Sequence, residues 1–296
     1  IKIKGTIITM FKKIAIKTGV LTTVFILAVI VSSYVTNRGN TDMSADMGGA
    51  TLPRISFMTE GYEVNSLPGY KSDMTLTSMR DTLTPVTNNQ LDMNIAKYDN
   101  QIQKVYWQVY TLNGKKCIQE GTIKDVQDTV TLNFKNTKIL KEERILKVTL
   151  YLDNQNIYFY TRIKNSADCN YKKSLDFAND FHNAALENQG DKVESYLETD
   201  SSEDSSTYQE VTLASTQSQV TWGSLAPQVS GNVYWEIKEC NENYTSLVLK
   251  YQVKCTGDTD YADRLYSVKE FFRIRTGEDA QQYLLDYDRT MNQRFD

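Results

Sequence analysis

The single histidine of the chain, His182, is the first residue to test for catalysis. A zinc site needs several convergent ligands, and no residue three or four positions away on the predicted helix could share a metal with it. Any Ser-His-Asp or Cys-His arrangement would depend on this histidine alone. Its helix neighbours Asp176 and Asp180 are acids, and most acids on helices lie on the solvent-exposed surface. We therefore expect His182 to be an ordinary residue at the boundary of the core.

The cysteines are Cys117, Cys169, Cys240 and Cys255. They show no C-x-x-C spacing, which excludes a zinc ribbon and a thioredoxin-type motif. In the hairpin predicted for 233–253, Cys240 and Cys255 lie ~25 Å apart at ~3.3 Å per residue. Bridged Cα atoms lie within ~7 Å of each other, so these two cannot be linked. We expect at least two of the four to be buried free thiols and leave the disulfide state open.

Acidic residues give no catalytic pattern either. Asp258, Asp260 and Asp263 form a short acidic loop that is faintly like a calcium loop, but Lys269 stands where a hand-type site has its last glutamate. A solvated turn is the expectation. Paired carboxylates for glycoside hydrolysis cannot be assigned by spacing, because any two of 37 acids could converge. With no phosphate-binding loop or dinucleotide fingerprint, the sequence predicts no catalytic, cofactor-binding or metal-binding residues.

The element that places all these residues in space is the uncharged stretch Thr18–Val35. Its length is at the lower limit of the roughly 17–25 residues that cross a bilayer as a helix. Five lysines and no acid precede it, at positions 2, 4, 12, 13 and 17. This asymmetry predicts a cytoplasmic N-terminus (1–17), a transmembrane helix (18–35) in contact with the lipid bilayer, and an extracytoplasmic bulk.

A cleaved signal peptide is the alternative to a retained anchor. Val31 and Ser33 could serve as its small cleavage-site residues. We favour the anchor because the apolar run exceeds the roughly 7–15 residues of a signal peptide. Met10 begins a typical bacterial start with a basic segment, so residues 1–9 are expected to precede the natural start. A strand pattern still in progress near residue 296 predicts that the chain continues past Asp296.

The charge balance limits the partners. Removing the five N-terminal lysines from the 33 basic residues leaves 28 against 37 acids, a balance of −9 for residues 18–296. Such an acidic surface argues against binding of nucleic acid or of anionic wall polymers. We expect the partner to be a protein or another component of the cell envelope.

Residues 36–52 are small and polar and predict a flexible linker. The region 53–165 then carries about seven short alternating strands. Val105, Trp107 and Val109 share one face of a strand, and Asn113-Gly114 supplies a hairpin turn. The pattern predicts an antiparallel sandwich that resembles immunoglobulin or fibronectin type III modules in architecture.

At 166 the period changes to that of a helix over 171–189. Gly190 is expected to cap this helix, and a short second helix should follow. Strands return in QEVTLAS, in SQVTWGS and in a long pair whose first arm places Val233, Trp235 and Ile237 on one face. This α+β region, 166–296, resembles NTF2-like (cystatin-like) modules. Some enzymes of that group place a His/Asp pair in the cone of the sheet, but nothing in the sequence identifies an acid for His182.

Three classes of function remain. The leading one is a non-enzymatic binding or structural protein of the bacterial cell envelope, held by its anchor. The second is the extracytoplasmic sensor or accessory subunit of a signalling or transport system. The third is a hydrolase acting on cell-wall material. The oligomeric state and the identity of a ligand cannot be read from the sequence.

Overall fold

The structure is a computed structural model that describes residues 2–37, 52–135, 137–168, 170–198, 207–257 and 260–294. Most of the predicted linker, most of the polar loop near 199–207, and part of the acidic loop at Asp258 lie outside these ranges. The chain divides into two compact units, Ile1–Gly49 and Ala50–Asp296.

The first unit is helix α1, Lys2–Asn37. Its stretch Ala15–Val35 is long and apolar enough to cross a membrane by length and composition. At ~1.5 Å per residue this stretch extends over ~30 Å, the thickness of the hydrocarbon layer. Thr22 and Thr23 donate their hydroxyls to the carbonyls of Thr18 and Gly19, at 2.9 Å each. Both threonine hydroxyls in the apolar stretch therefore have a hydrogen-bond partner within the helix.

The second unit is mainly β, since strands account for 48% of the structure. The strands are β1 (Arg54–Thr59), β2 (Tyr62–Pro68), β3 (Leu83–Val86), β4 (Gln90–Ala96), β5 (Ile102–Thr111), β6 (Cys117–Ile123), β7 (Thr129–Asn133), β8 (Arg144–Leu152), β9 (Asn156–Asn165), β10 (Glu210–Thr212), β11 (Pro227–Cys240), β12 (Thr245–Cys255), β13 (Leu265–Thr276) and β14 (Gln282–Gln293). The helices are α2 (Tyr171–Leu186), α3 (Gly190–Val193) and α4 (Gln217–Val220).

These strands form two sheets. A nine-stranded sheet has the order β10-β14-β13-β12-β11-β2-β1-β4-β7, and a five-stranded sheet has the order β3-β9-β8-β5-β6. Pairing is antiparallel except between β11 and β2 and between β3 and β9. The larger sheet therefore combines strands from both sides of residue 166.

Asn65 connects the two groups of strands. Its amide donates to the Leu83 carbonyl at 2.9 Å and to the Thr84 hydroxyl at 2.8 Å, while its own carbonyl oxygen accepts from the backbone N–H of Ile237 at 2.9 Å. The residue is fully buried with φ +53°, a backbone conformation that asparagine tolerates. Buried apolar residues from both sides of 166 belong to one hydrophobic core. The division into a 53–165 sandwich and a 166–296 α+β region stays a prediction.

One face of the nine-stranded sheet carries the core. Paired residues lie on the same face, so the β11–β2 pair Trp235 and Val64 shares it. Near Val64 this face packs against the five-stranded sheet, whereas Trp235 contacts Phe272, with ring centroids 6.0 Å apart. Phe272 in turn contacts Phe181 of α2 at 5.9 Å. The five-stranded sheet and α2 thus lie side by side on the same face of the nine-stranded sheet. We call this the covered face and the opposite face of the nine-stranded sheet the open face.

The first predicted hairpin is confirmed. β5 and β6 pair through a turn that contains Asn113 and Gly114, and Gly114 has φ +71°. Val105, Trp107 and Val109 are all buried, as the alternation requires.

Two local predictions are wrong. Gly190 does not cap α2, because the left-handed residue after this helix is Asn188 (φ +56°) and Gly190 is the first residue of α3. The segment SQVTWGS is not a strand: its first three residues belong to α4, which follows a reciprocal capping box between Thr216 and Gln219. Four-residue helices escape a search for periodicity, but the T-x-x-Q spacing was a visible signal.

Candidate functional site

One buried group of titratable side chains lies on the covered face. Glu270 of β13 is fully buried, and both of its carboxylate oxygens lie 3.2 Å from Nδ1 of His182 on α2. The hydroxyl of Tyr251, on β12, donates to the same carboxylate. His182 also packs edge-on against the Tyr251 ring, with centroids 4.8 Å apart. Glu270 is therefore the acid that pairs with His182.

Burial by itself would raise the pKa of Glu270, because it penalises the charged form. The charge and hydrogen bond of His182, the charge of Arg289 and the hydroxyl of Tyr251 outweigh burial, and the pKa of Glu270 lies below its ordinary value. Burial and the adjacent carboxylate raise the pKa of Tyr251 well above its ordinary range. The cluster thus stabilises a carboxylate with a neutral phenol beside it.

Arg289 completes the cluster from β14, directly opposite Glu270 in the strand register. Its guanidinium donates to the carbonyls of Val220 and Gln219, at 2.7 Å each. It also lies 3.8 Å above the ring of Trp222, a residue held at φ +65°. Arg289 therefore fixes the end of α4 against the sheet.

A histidine, a carboxylate and a phenol could relay a proton if a substrate reached them. Glu270 and Arg289 are 0% exposed and His182 is 4% exposed, so these side chains are closed off from solvent. The expectation that His182 lies at the boundary of the core is wrong, since it is buried and bonded. Asp176 bonds to Lys172 at 2.7 Å and to the Tyr62 hydroxyl at 2.8 Å, and Asp180 is exposed. The cluster is suited to holding α2 on the sheet.

The accessible candidate lies on the open face. A groove of about 510 Å³ crosses β11 to β14. Two neighbouring rows of directly paired residues form its floor. One row is Tyr234, Lys250, Lys269 and Thr290, and the other is Ser230, Gln252, Ser267 and Asn292.

A bulge in β11 forms the wall of this groove. Ser230 pairs with Gln252 and Tyr234 pairs with Lys250, so Gly231–Val233 stand opposite a single residue of β12. Gly231 adopts φ +78°, which a residue with a side chain rarely adopts. The bulge breaks the predicted burial pattern: Trp235 and Ile237 are buried, but Val233 is 40% exposed and is not buried with them.

The charges at the groove are unlike those of the whole chain. Among the described residues, no Asp or Glu lines it, whereas Lys250 and Lys269 lie directly opposite each other. Lys250 pairs with the buried Glu236 of β11 at 2.6 Å. Lys269 forms no ion pair with any residue that the structure describes. The floor is therefore a hydrogen-bonding surface with a local positive charge.

No cluster of three or more metal-binding side chains occurs within the described ranges. In the acidic loop, Asp258 is outside them, and Asp263 pairs with Lys254 at 2.9 Å. Cys240 is disulfide-bonded, whereas Cys117 and Cys255 are free, the first exposed and the second buried. The exclusion of a Cys240–Cys255 bridge is confirmed, because the two occupy opposite ends of the β11–β12 pair. Cys169 lies outside the described residues.

Comparison of the chain with protein-family models, with curated proteins and with solved structures found no match. The resemblance of 166–296 to NTF2-like modules stays a prediction.

Proposed function

We propose that the protein is a membrane-anchored, extracytoplasmic binding or structural protein of the bacterial cell envelope and that it has no catalytic role. The observation that carries this proposal is the exposed apolar stretch Ala15–Val35 of α1. Such a surface is unfavourable in water and favourable in hydrocarbon. The lysines that precede it favour a cytoplasmic N-terminus, which puts the β-rich unit outside.

The chemistry of Cys240 supports the outward placement. Disulfides persist in oxidising compartments and are rare in the cytosol, and Cys240 is disulfide-bonded. The burial of the His182–Glu270 cluster supports binding over catalysis, because a substrate would have to unpack α2 to reach it. The accessible polar surface is the groove on the open face.

We also propose, at the level of fold, that the N-terminal strands form an immunoglobulin-like or fibronectin-like sandwich and that the C-terminal part is NTF2-like. The packing of α2 on β12, β13 and β14 supports the second proposal. A helix on one face of an antiparallel sheet is the general arrangement of an α+β module.

Protease treatment of intact cells tests the topology. We use the full chain with one epitope tag at each end. The C-terminal tag should be degraded while the N-terminal tag survives, and breaking the membrane should expose both. A matched variant replaces Lys12, Lys13 and Lys17 by glutamate, which should increase the fraction in the opposite orientation.

Protection of the C-terminal tag in intact cells would contradict the proposal. Release of the β-rich unit into the medium would show instead that α1 is a cleaved signal peptide. That result would remove the anchor and leave the extracytoplasmic placement intact.

A further inference from the structure

We propose that the groove on the open face of β11 to β14 binds an anionic oligosaccharide. The inference deepens the proposed function, since it names a ligand class for an envelope protein. Its chemical basis is a surface of hydroxyl, amide and ammonium groups without a carboxylate.

The polar side chains of the floor are available to a ligand. Six of them make no hydrogen bond to any other described residue: Ser230, Gln252, Ser267, Lys269, Thr290 and Asn292. Hydroxyls and amides both donate and accept, as the hydroxyls of a sugar do. A ligand rich in hydroxyl groups can therefore use both rows at once.

The lysines specify the charge of the ligand. Like charges directly opposite each other on neighbouring strands are destabilising, and Lys250 and Lys269 are such a pair. Glu236 neutralises Lys250 from one side. Lys269 interacts electrostatically with Asp288, which does not line the groove, but it forms no close ion pair with any described residue. A carboxylate or phosphate bound between the two rows could pair directly with Lys269, whose ammonium group has no close acidic partner.

The dimensions fit a short chain of sugars. Four strands spaced ~4.8 Å apart give rows ~14 Å long, enough for about two or three linked rings. The two rows lie ~7 Å apart, since they are two residues apart along β12, β13 and β14. At one end of the first row, the ring of Tyr234 is 38% exposed and could stack on a sugar face. The guanidinium of Arg54 lies 5.8 Å from that ring and helps to fix it.

The acidic balance of the chain predicts repulsion of anionic polymers, and the groove is a local exception to it. Repulsion from exposed charges beyond ~8–10 Å is largely screened at physiological salt, whereas contacts inside the groove are not. The whole surface thus disfavours long polyanions, and the groove accepts a short one. An acidic peptide is the competing occupant, but it offers fewer hydroxyls to the two rows.

Binding is measured with the full chain in detergent micelles by isothermal titration. The anionic probes are a hyaluronan tetrasaccharide, which carries carboxylates, and a ribitol phosphate tetramer, which carries phosphates. The neutral probe is chitotetraose and the peptide probe is tetraglutamate. At least one anionic sugar should bind, and Lys269→Ala should weaken that binding about tenfold or more, as loss of a charged hydrogen bond does.

Lys254→Ala is the matched control variant. It removes the same charge from the same face, but Lys254 pairs with Asp263 outside the groove and should leave the affinity unchanged. Failure of both anionic sugars to bind would overturn the inference. Tighter binding of tetraglutamate, or equal losses in the two variants, would overturn it as well. The topology experiment is independent of all these outcomes.

Discussion

Glu270 and Lys269 are neighbours on β13 and have opposite surroundings. Glu270 points to the covered face, is fully buried, and is bonded to His182 and Tyr251. Lys269 points to the open face, where no ion pair with another described residue uses its charge. Alternation along one strand places a closed charge cluster and an open groove back to back.

The difference teaches that residue type alone does not locate a functional site. Histidine, glutamate and tyrosine are the residues that usually suggest catalysis, yet here they hold α2 against the sheet. The described lining of the groove on the open face offers hydroxyls, amides and lysines, and a ligand can reach it. The predictions below test this division between the two faces.

The largest contrast should come from Glu270→Ala and Lys269→Ala. Removing Glu270 leaves His182, Tyr251 and Arg289 buried without their shared anion, so the free energy of unfolding should fall by about 3–5 kcal/mol. Lys269→Ala should change it by less than about 0.5 kcal/mol. Urea unfolding of the full chain in detergent measures both. Similar losses in the two variants would contradict the division into a structural and an open face.

A comparable contrast is expected on β5 between Trp107 and Tyr106. Trp107 is buried and meets Phe134 edge-on at 5.4 Å, so Trp107→Ala should cost about 3–5 kcal/mol. Tyr106 bonds to Glu120 at 2.5 Å on the outer side, and Tyr106→Ala should cost much less. Thermal melts of both variants measure this. A Trp107→Ala protein that melts like the parent but loses ligand binding would make the Trp107 face of the five-stranded sheet functional.

A smaller effect is expected opposite Trp107. A Cβ at Gly121 would lie 2.5 Å from the Trp107 ring, so Gly121→Ala should displace the indole and cost about 1–3 kcal/mol. The neighbouring Thr122 is exposed on the other side of β6, and Thr122→Ala should be nearly neutral. Urea midpoints compare the two variants. An unchanged midpoint for Gly121→Ala would mean that the packing around Trp107 is loose.

The pH dependence of stability tests the role of the Glu270 carboxylate on the covered face. The pKa of Glu270 is lowered in the folded protein, so the unfolded chain binds the proton more readily. This stabilisation is complete above the ordinary glutamate pKa of about 4.3 and is lost as the pH falls through the lower, folded value. The difference in unfolding free energy between the parent and Glu270→Gln should therefore shrink on acidification. A difference that is constant from pH ~7 to ~3 would refute the role of this carboxylate.

Much of the fold could be predicted from local patterns. The alternation of Val105, Trp107 and Val109 and the Asn113-Gly114 turn predicted the first hairpin, because both depend on neighbouring residues only. The uncharged stretch Thr18–Val35 predicted the apolar helix for the same reason. Predictions failed where the signal was short or irregular, as in α4 and in the bulge that exposes Val233.

Glu270 could have been identified from the sequence. It stands at an inward position of β13, between Val268 and Phe272, where an acid requires a buried partner. That argument needs the strand and its inner face to be assigned first. The groove offered no comparable signal, since its polar residues come from four strands spread over 230–292.

The sequence by itself determined the apolar N-terminal helix, the mainly β composition, the first hairpin and the alternation of faces within regular strands. Tertiary structure alone decided that β11 lies beside β2, that Asn65 bridges the two halves, and that His182 meets Glu270. The reason is distance along the chain. Periodicity reports which way a side chain points from its own strand, but the partner that it meets there depends on pairings between segments 88 to 172 residues apart, which no local pattern encodes.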